Sequence, residues 1–316
     1  MDQPINRPRS GSVTVRLQIF SGTADPIWTC SDAEVDELTA LIDGLTEVTN
    51  LKPPAVAGRL GYRGFIITAP SHDFAPETDV LVHAGIVDRQ RFALNLVDEG
   101  NKIERFLLKT APADKVDSPL RNRVNAAIHF TPPMTPRVGR RGRKRRKSSK
   151  AKAKTKKGKT GEACRPEYEP AKWNTAAHMG PNHCYDYATD VMTDLGAQPG
   201  EGGGKACCAT SKDVNCPAIT AAAKLDGLKS VASTTAPPDG HYVALVVQAA
   251  GTPDRDFHWY RRDCNGRWSH KVGNSPVTNK DNSDDLIDDP RTCDRGDYTV
   301  FCGFFSCDAD KVKIGP

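Results

Sequence analysis

The sequence predicts an α+β protein: two small α+β domains joined by a disordered basic linker. Three observations carry this. Short stretches such as VTVRLQIF (13–20) alternate apolar and polar residues, as half-buried strands do. Others, such as TCSDAEVDELTALIDGL (29–45), repeat apolar residues at helical spacing. Between two such regions lies RVGRRGRKRRKSSKAKAKTKKGK (137–159), with 14 Lys or Arg and no acid.

Residues 12–130 read as the first domain, an adaptor or targeting module. Ser31 with Glu34 forms a capping box, and Val35, Leu38, Leu41, Ile42 and Leu45 follow as one helical face. LGYRGFIITAP (60–70) and DVLVHAGIV (79–87) read as strands. NKIERFLLKTA (101–111) and LRNRVNAAIHF (120–130) read as helices. His72, His83 and His129 are isolated and read as ordinary surface or core residues.

Residues 131–162 read as the linker. TPPMTPRVG (131–139) is Pro-rich and extended, and the basic run beyond it has nothing with which to build a core. Removing 137–159 leaves 30 basic against 39 acidic residues, so the folded parts are acidic. The run, with Arg140, Arg141, Arg143, Lys144, Arg145, Arg146 and Lys147 at its centre, is either a solvated tether or a polyanion contact. It has no interleaved aromatic residue, which excludes base stacking on this segment.

Residues 163–316 read as a Cys-rich second domain with nine of the ten cysteines and five of the eight histidines. Cys184 opens a helical pattern in GPNHCYDYATDVMTDLG (180–196), with Ala188, Val191, Met192 and Leu195 on the same face and Gly196 as the stop. The N–H groups of a first turn favour a thiolate and can hold an oxyanion. His241 opens the alternating stretch HYVALVVQA and is the candidate base, with His258 or Asp256 as its orienting group. Asn265 and His270 are weaker orienters.

The odd cysteine count leaves room for a free Cys184 beside bridges among Cys164, Cys207, Cys208, Cys216, Cys264, Cys293, Cys302 and Cys307. Cys207 and Cys208 are adjacent and are expected to bridge elsewhere. Disulfides and a plain apolar Cys184 are the competing readings. A zinc site is a further competing reading, but the Cys and His spacings fit no standard zinc finger, and Asp281, Asp284, Asp285, Asp288 and Asp289 fit no EF-hand loop. No metal and no cofactor are expected. Trp259, Tyr260 and Trp268 line a cleft or belong to the core.

The order of Cys184, His241 and His258 resembles the papain-like superfamily, most closely its NlpC/P60 and CHAP amidase-peptidase branch. The resemblance implies a helix packed on an antiparallel sheet. It also implies a thiol hydrolase acting on a peptide or cell-wall-type amide, with Cys184 as nucleophile, His241 as base and His258 orienting it. The sequence departs from those families in its Asn-His-Cys-Tyr helix start. It also carries His178 where papain has its oxyanion glutamine, so His178 and Asn182 are the secondary candidates. NHCYDYATD, FHWYRRDCNGRWSHKVGNSPVTN and YTVFCGFFSC also resemble an uncharacterised bacterial and invertebrate family that includes mollusc shell-matrix proteins. That likeness implies a secreted or surface setting. Near the N-terminus, SGTADPIWTCSDAEV (21–35) resembles a domain of uncharacterised bacterial proteins with a Ser-Gly-x-x-x-Pro-x-Trp turn.

No run of 18 apolar residues exists, so no membrane span is expected. The N-terminus lacks a basic start followed by an apolar core, so no cleaved signal peptide is expected: either export uses another route, the reading favoured over a cytoplasmic one, or the cysteines are reduced or bind metal. The favoured expectation is the hydrolase. Its alternatives are a non-enzymatic, disulfide-bonded extracellular or matrix protein and a polyanion or nucleic-acid binder acting through the basic linker.

Overall fold

The computed structural model describes residues 12–49, 58–70, 79–88, 94–128, 166–208, 210–234, 240–252 and 254–315. The basic run at 137–159, Cys164, His72 and His129 lie outside them. The chain divides into one unit made of Met1–Ile19, Asp25–Ala55 and Tyr62–Arg141, and another made of Phe20–Ala24, Val56–Gly61 and Gly142–Pro316. Both contain helices and an antiparallel sheet, so the protein is α+β.

The first unit runs β1 (Thr14–Gln18), β2 (Ile27–Thr29), α1 (Asp32–Asp43), β3 (Thr46–Thr49), β4 (Gly64–Thr68), β5 (Val80–His83), β6 (Ile86–Asp88), β7 (Leu94–Val97), α2 (Lys102–Thr110) and α3 (Ser118–Ala127). Its seven strands lie in the order β2-β1-β4-β5-β6-β7-β3. Ser31 and Glu34 cap α1 reciprocally, and Val35, Leu38 and Ile42 are its buried face. The stretch 79–87 is a hairpin, not the single expected strand. Ala84 and Gly85 both take positive φ (53° and 74°), the combination a two-residue turn between twisted strands requires.

The second unit holds α4 (Pro170–Trp173), α5 (Ala176–Met179), α6 (Cys184–Thr189), α7 (Cys216–Leu225), β8 (Lys229–Val231), β9 (His241–Val247), β10 (Phe257–Arg262), β11 (Trp268–Lys271), β12 (Val277–Thr278) and β13 (Val300–Cys307). The strand order is β12-β11-β10-β9-β13-β8. Every residue of β9 is buried, because apolar side chains cover the sheet on both faces. Val243, Leu245, Phe257, Trp259 and Phe305 pack with Cys184, Ala188 and Ile219 on the helix-covered face. Tyr242, Ala244, Val246, Tyr260, Trp268 and Phe304 pack with Leu60, Ile287 and Tyr298 on the other. Trp259, Tyr260 and Trp268 are thus core residues.

Helix α6 stops at Thr189, short of the expected Leu195. Asp190 takes a left-handed φ of 59° as its C-cap, and its carboxylate accepts from Arg261 Nη1 at 2.8 Å. The Asp186 carboxylate accepts from Thr193 Oγ1 and from the backbone N–H of Ala197, which turns the chain back. Leu195 is left 69% exposed, off the face on which the helical spacing put it.

Candidate functional site

Cys184 does open a helix that packs on an antiparallel sheet. Its neighbour His183 donates its backbone N–H to the Asp186 carboxylate at 2.8 Å, which fixes the start of α6. The thiol is free and fully buried among apolar side chains. Burial first, and the negative charge of Asp256 second, push its pKa well above the ordinary thiol range. The site therefore holds a neutral thiol, the opposite of what a thiol nucleophile needs.

His241 lies at the other end of α6. Its Nε2 is 2.7 Å from the carbonyl oxygen of Ala188 and donates to it. Side chains tilt toward a helix N-terminus while carbonyls point toward its C-terminus, so Cys184 Sγ and this imidazole diverge. The side chain facing His241 across the strands is Cys307, its register partner on β13. Burial lowers the His241 pKa to about 4.

His258 and Asp256 lie on the opposite side of the sheet. His258 pairs in register with Val246 and sits on the face of Tyr260, whereas His241 sits on the face of Val243. Side chains alternate along a strand, so no rotamer of His258 reaches His241 through the packed sheet. His178 and Asn182 are also engaged elsewhere. Asp194 Oδ1 is 2.8 Å from His178 Nδ1 and accepts from Asn182 Nδ2 at 2.6 Å. Asn182 Oδ1 in turn accepts the Asp194 backbone N–H at 3.0 Å. Cys184, His241 and His258 are thus not brought together, whereas His258 and Asp256 meet at Ser21 Oγ.

The structure does gather a different polar group, buried under Tyr298. The Ser-Gly turn at 21–22 delivers three backbone N–H groups to the Asp256 carboxylate, from Ser21 at 2.6 Å, Gly22 at 3.2 Å and Thr23 at 2.9 Å. The Tyr298 hydroxyl donates to the same carboxylate at 2.5 Å. A buried carboxylate held by several donors is stable as an anion without a cationic partner. Gly22 is required by space: a Cβ there would stand 2.6 Å from both the ring and the carbonyl oxygen of Phe257.

From Ser21 the bonds continue through two imidazoles. Ser21 Oγ is 3.1 Å from His258 Nδ1, His258 Nε2 is 2.8 Å from His270 Nδ1, and His270 Nε2 is 2.9 Å from the Lys280 carbonyl. The carbonyl only accepts, so His270 carries its proton on Nε2 and accepts on Nδ1. His258 then donates from Nε2, while the Ser21 hydroxyl, 3.1 Å from His258 Nδ1, donates to the Phe257 carbonyl at 2.9 Å. Burial lowers the His270 pKa to about 4, which keeps that imidazole neutral at pH 7. Ser21, His258 and His270 are all buried, so the chain of bonds holds the Ser-Gly turn on the sheet and presents no group to a substrate. In the sequence the turn and His270 were both visible, but nothing joined them.

Arg261 organises the helix-covered side. It bonds Asp263 at 3.1 Å, Asp190 at 2.8 Å and the Glu167 carbonyl at 2.9 Å, and its guanidinium lies 3.9 Å from the centre of the Tyr187 ring.

The cysteines depart from expectation at three points. Cys216 bridges Cys302, and Cys264 is also disulfide-bonded. Cys207 and Cys208 bridge each other, although adjacent cysteines were expected to pair elsewhere. Cys293 and Cys307, expected in bridges, are free, as are Cys30 and Cys184. The Asp-rich loop spends its carboxylates internally. Asp281 accepts three backbone N–H groups, and Asp284, Asp288 and Asp289 pair with Arg59, Arg267 and Arg291. Among the described residues no group of three His, Cys, Asp or Glu is placed to hold a metal ion, and no helix is long and apolar enough to cross a membrane.

No family model and no solved structure matches the chain. A curated relative does: insoluble matrix shell protein 1 of Ruditapes philippinarum is 37% identical over 146 residues, which are 46% of this chain and 93% of the relative. The chain therefore belongs to the family of that shell-matrix protein.

Proposed function

We propose that this chain is a non-enzymatic, disulfide-bonded extracellular matrix protein whose second unit is a rigid scaffold. The observation that carries this reading is the setting of Cys184: a buried neutral thiol whose expected base bonds a carbonyl at the far end of the same helix. Three further facts support it. Polar side chains that fit a catalytic reading are tied into internal hydrogen bonds. The Cys216–Cys302 bridge joins α7 to β13 and fits an oxidising setting. The relative is named for an insoluble shell matrix. The basic run at 137–159 then serves as a contact for polyanions of the matrix, with affinity that falls as salt rises.

The test is secretion of the full chain from cultured cells, followed by fractionation of the deposited matrix. Wild type and Cys184→Ala should partition into the insoluble fraction equally, and a chain lacking 137–159 should be retained less. Loss of matrix retention in Cys184→Ala with its fold intact, or amide cleavage abolished by that substitution, would favour the thiol hydrolase instead.

A further inference from the structure

We propose that the Cys207–Cys208 bridge is a site of thiol–disulfide exchange, opened by a dithiol while the surrounding fold stays intact. The chain itself already holds adjacent residues together, so their bridge removes little freedom from the unfolded state. Cys216 and Cys302 are 86 residues apart, and their bridge carries the stabilising role. The two bridges thus differ in kind within one unit.

Three local features favour opening. Cys207 and Cys208 are partly exposed at the edge of the core, within reach of a soluble thiolate. Cys208 sits at φ 65°, a left-handed conformation that a non-glycine residue disfavours, and the closed ring holds it there. Its Sγ is 3.7 Å from the Asp213 carbonyl oxygen, an acceptor ready for the S–H that reduction creates.

The loop does not depend on the bridge for its course. The Cys207 backbone N–H donates to the Pro199 carbonyl at 2.7 Å, and Lys205 N–H donates to the Gly200 carbonyl at 2.8 Å. Gly200 and Gly203 donate their N–H groups to the buried Asp226 carboxylate at 2.6 and 3.0 Å. These bonds persist when the sulfurs part.

In the exchange, one thiolate of the dithiol attacks one sulfur of the bridge. The S–S bond breaks and the departing sulfur takes up a proton. The reductant's second thiol then displaces the mixed disulfide. The protein gains two electrons and two protons as two thiols, and the reductant loses them as its own disulfide.

The test uses the full chain under native conditions, with graded dithiothreitol, N-ethylmaleimide capping and peptide mass mapping beside near-UV circular dichroism. Both Cys207 and Cys208 should be capped at a dithiothreitol level at least about ten-fold below that needed for Cys216 and Cys302, with the near-UV spectrum unchanged. The double variant Cys207→Ser/Cys208→Ser should fold with the wild-type spectrum. Opening of both bridges together, resistance of Cys207–Cys208 until the fold is lost, or failure of the double variant to fold would each overturn the proposal.

Discussion

His258 Nε2 and His270 Nδ1 stand 2.8 Å apart with both rings buried, and the burial of His270 makes the second unit sensitive to acid. Burial holds His270, and separately His241, at a pKa of about 4, below the ordinary histidine value. The folded state therefore binds fewer protons than the unfolded chain as pH falls below the unfolded value. Stability from these two groups is complete above about pH 6.5 and is lost progressively toward pH 4, by about 3 kcal/mol each at the limit. The buried carboxyls of Asp186 and Asp263 have raised pKa values, so the folded state takes up their protons more readily and opposes the loss at the acid end. Urea denaturation at pH 7 and pH 4.5 should show a lower midpoint in acid.

The Ser-Gly turn should tolerate no side chain at its second position. A Cβ at Gly22 meets the backbone of Phe257 as well as its ring, so the turn must lift and Asp256 loses donors. Gly22→Ala should cost about 2–4 kcal/mol of stability, measured by denaturant unfolding.

How much of this was legible beforehand follows the reach of each interaction. The α1 cap was readable because Ser31 and Glu34 are three residues apart and sufficient to each other. The strand at 241–247 was readable from alternation. The end of α6 was not, because Asp190 is fixed by Arg261, 71 residues away. The same limit hid the site. Strand register puts His258 opposite Val246, and that pairing decides which face each histidine occupies. The Ser-Gly turn was visible as a pattern, but its partner Asp256 lies 235 residues from Ser21. Helix-first cysteine and strand-first histidine are local features, and a catalytic pair also needs them at the same end of the helix.

Removing the Tyr298 hydroxyl should expose how the anion at Asp256 is held. The phenol donates at 2.5 Å to a buried carboxylate that also accepts from the backbone N–H groups of 21–23 and lies 3.2 Å from the Ser21 hydroxyl. Tyr298→Phe should lower stability by about 1.5–3 kcal/mol, the range for a hydrogen bond to a charged group, without altering secondary structure by circular dichroism.

The Cys216–Cys302 bridge should be the larger stabiliser of the two described disulfides. Cys216→Ser/Cys302→Ser opens a long loop and should cost about 4 kcal/mol, a fall of roughly 10 °C in melting temperature. Differential scanning calorimetry of the full chain provides the comparison.

The scaffold reading rests most directly on Cys184 as an inaccessible, neutral thiol without a base. Iodoacetamide treatment of the native, unreduced chain at pH 7.5, followed by peptide mass mapping, tests it. Cys184 should remain unmodified until the chain is denatured, while the partly exposed Cys293 reacts first among the free thiols. Modification of native Cys184 faster than the same thiol in the denatured chain would contradict the account and return it to the role of nucleophile.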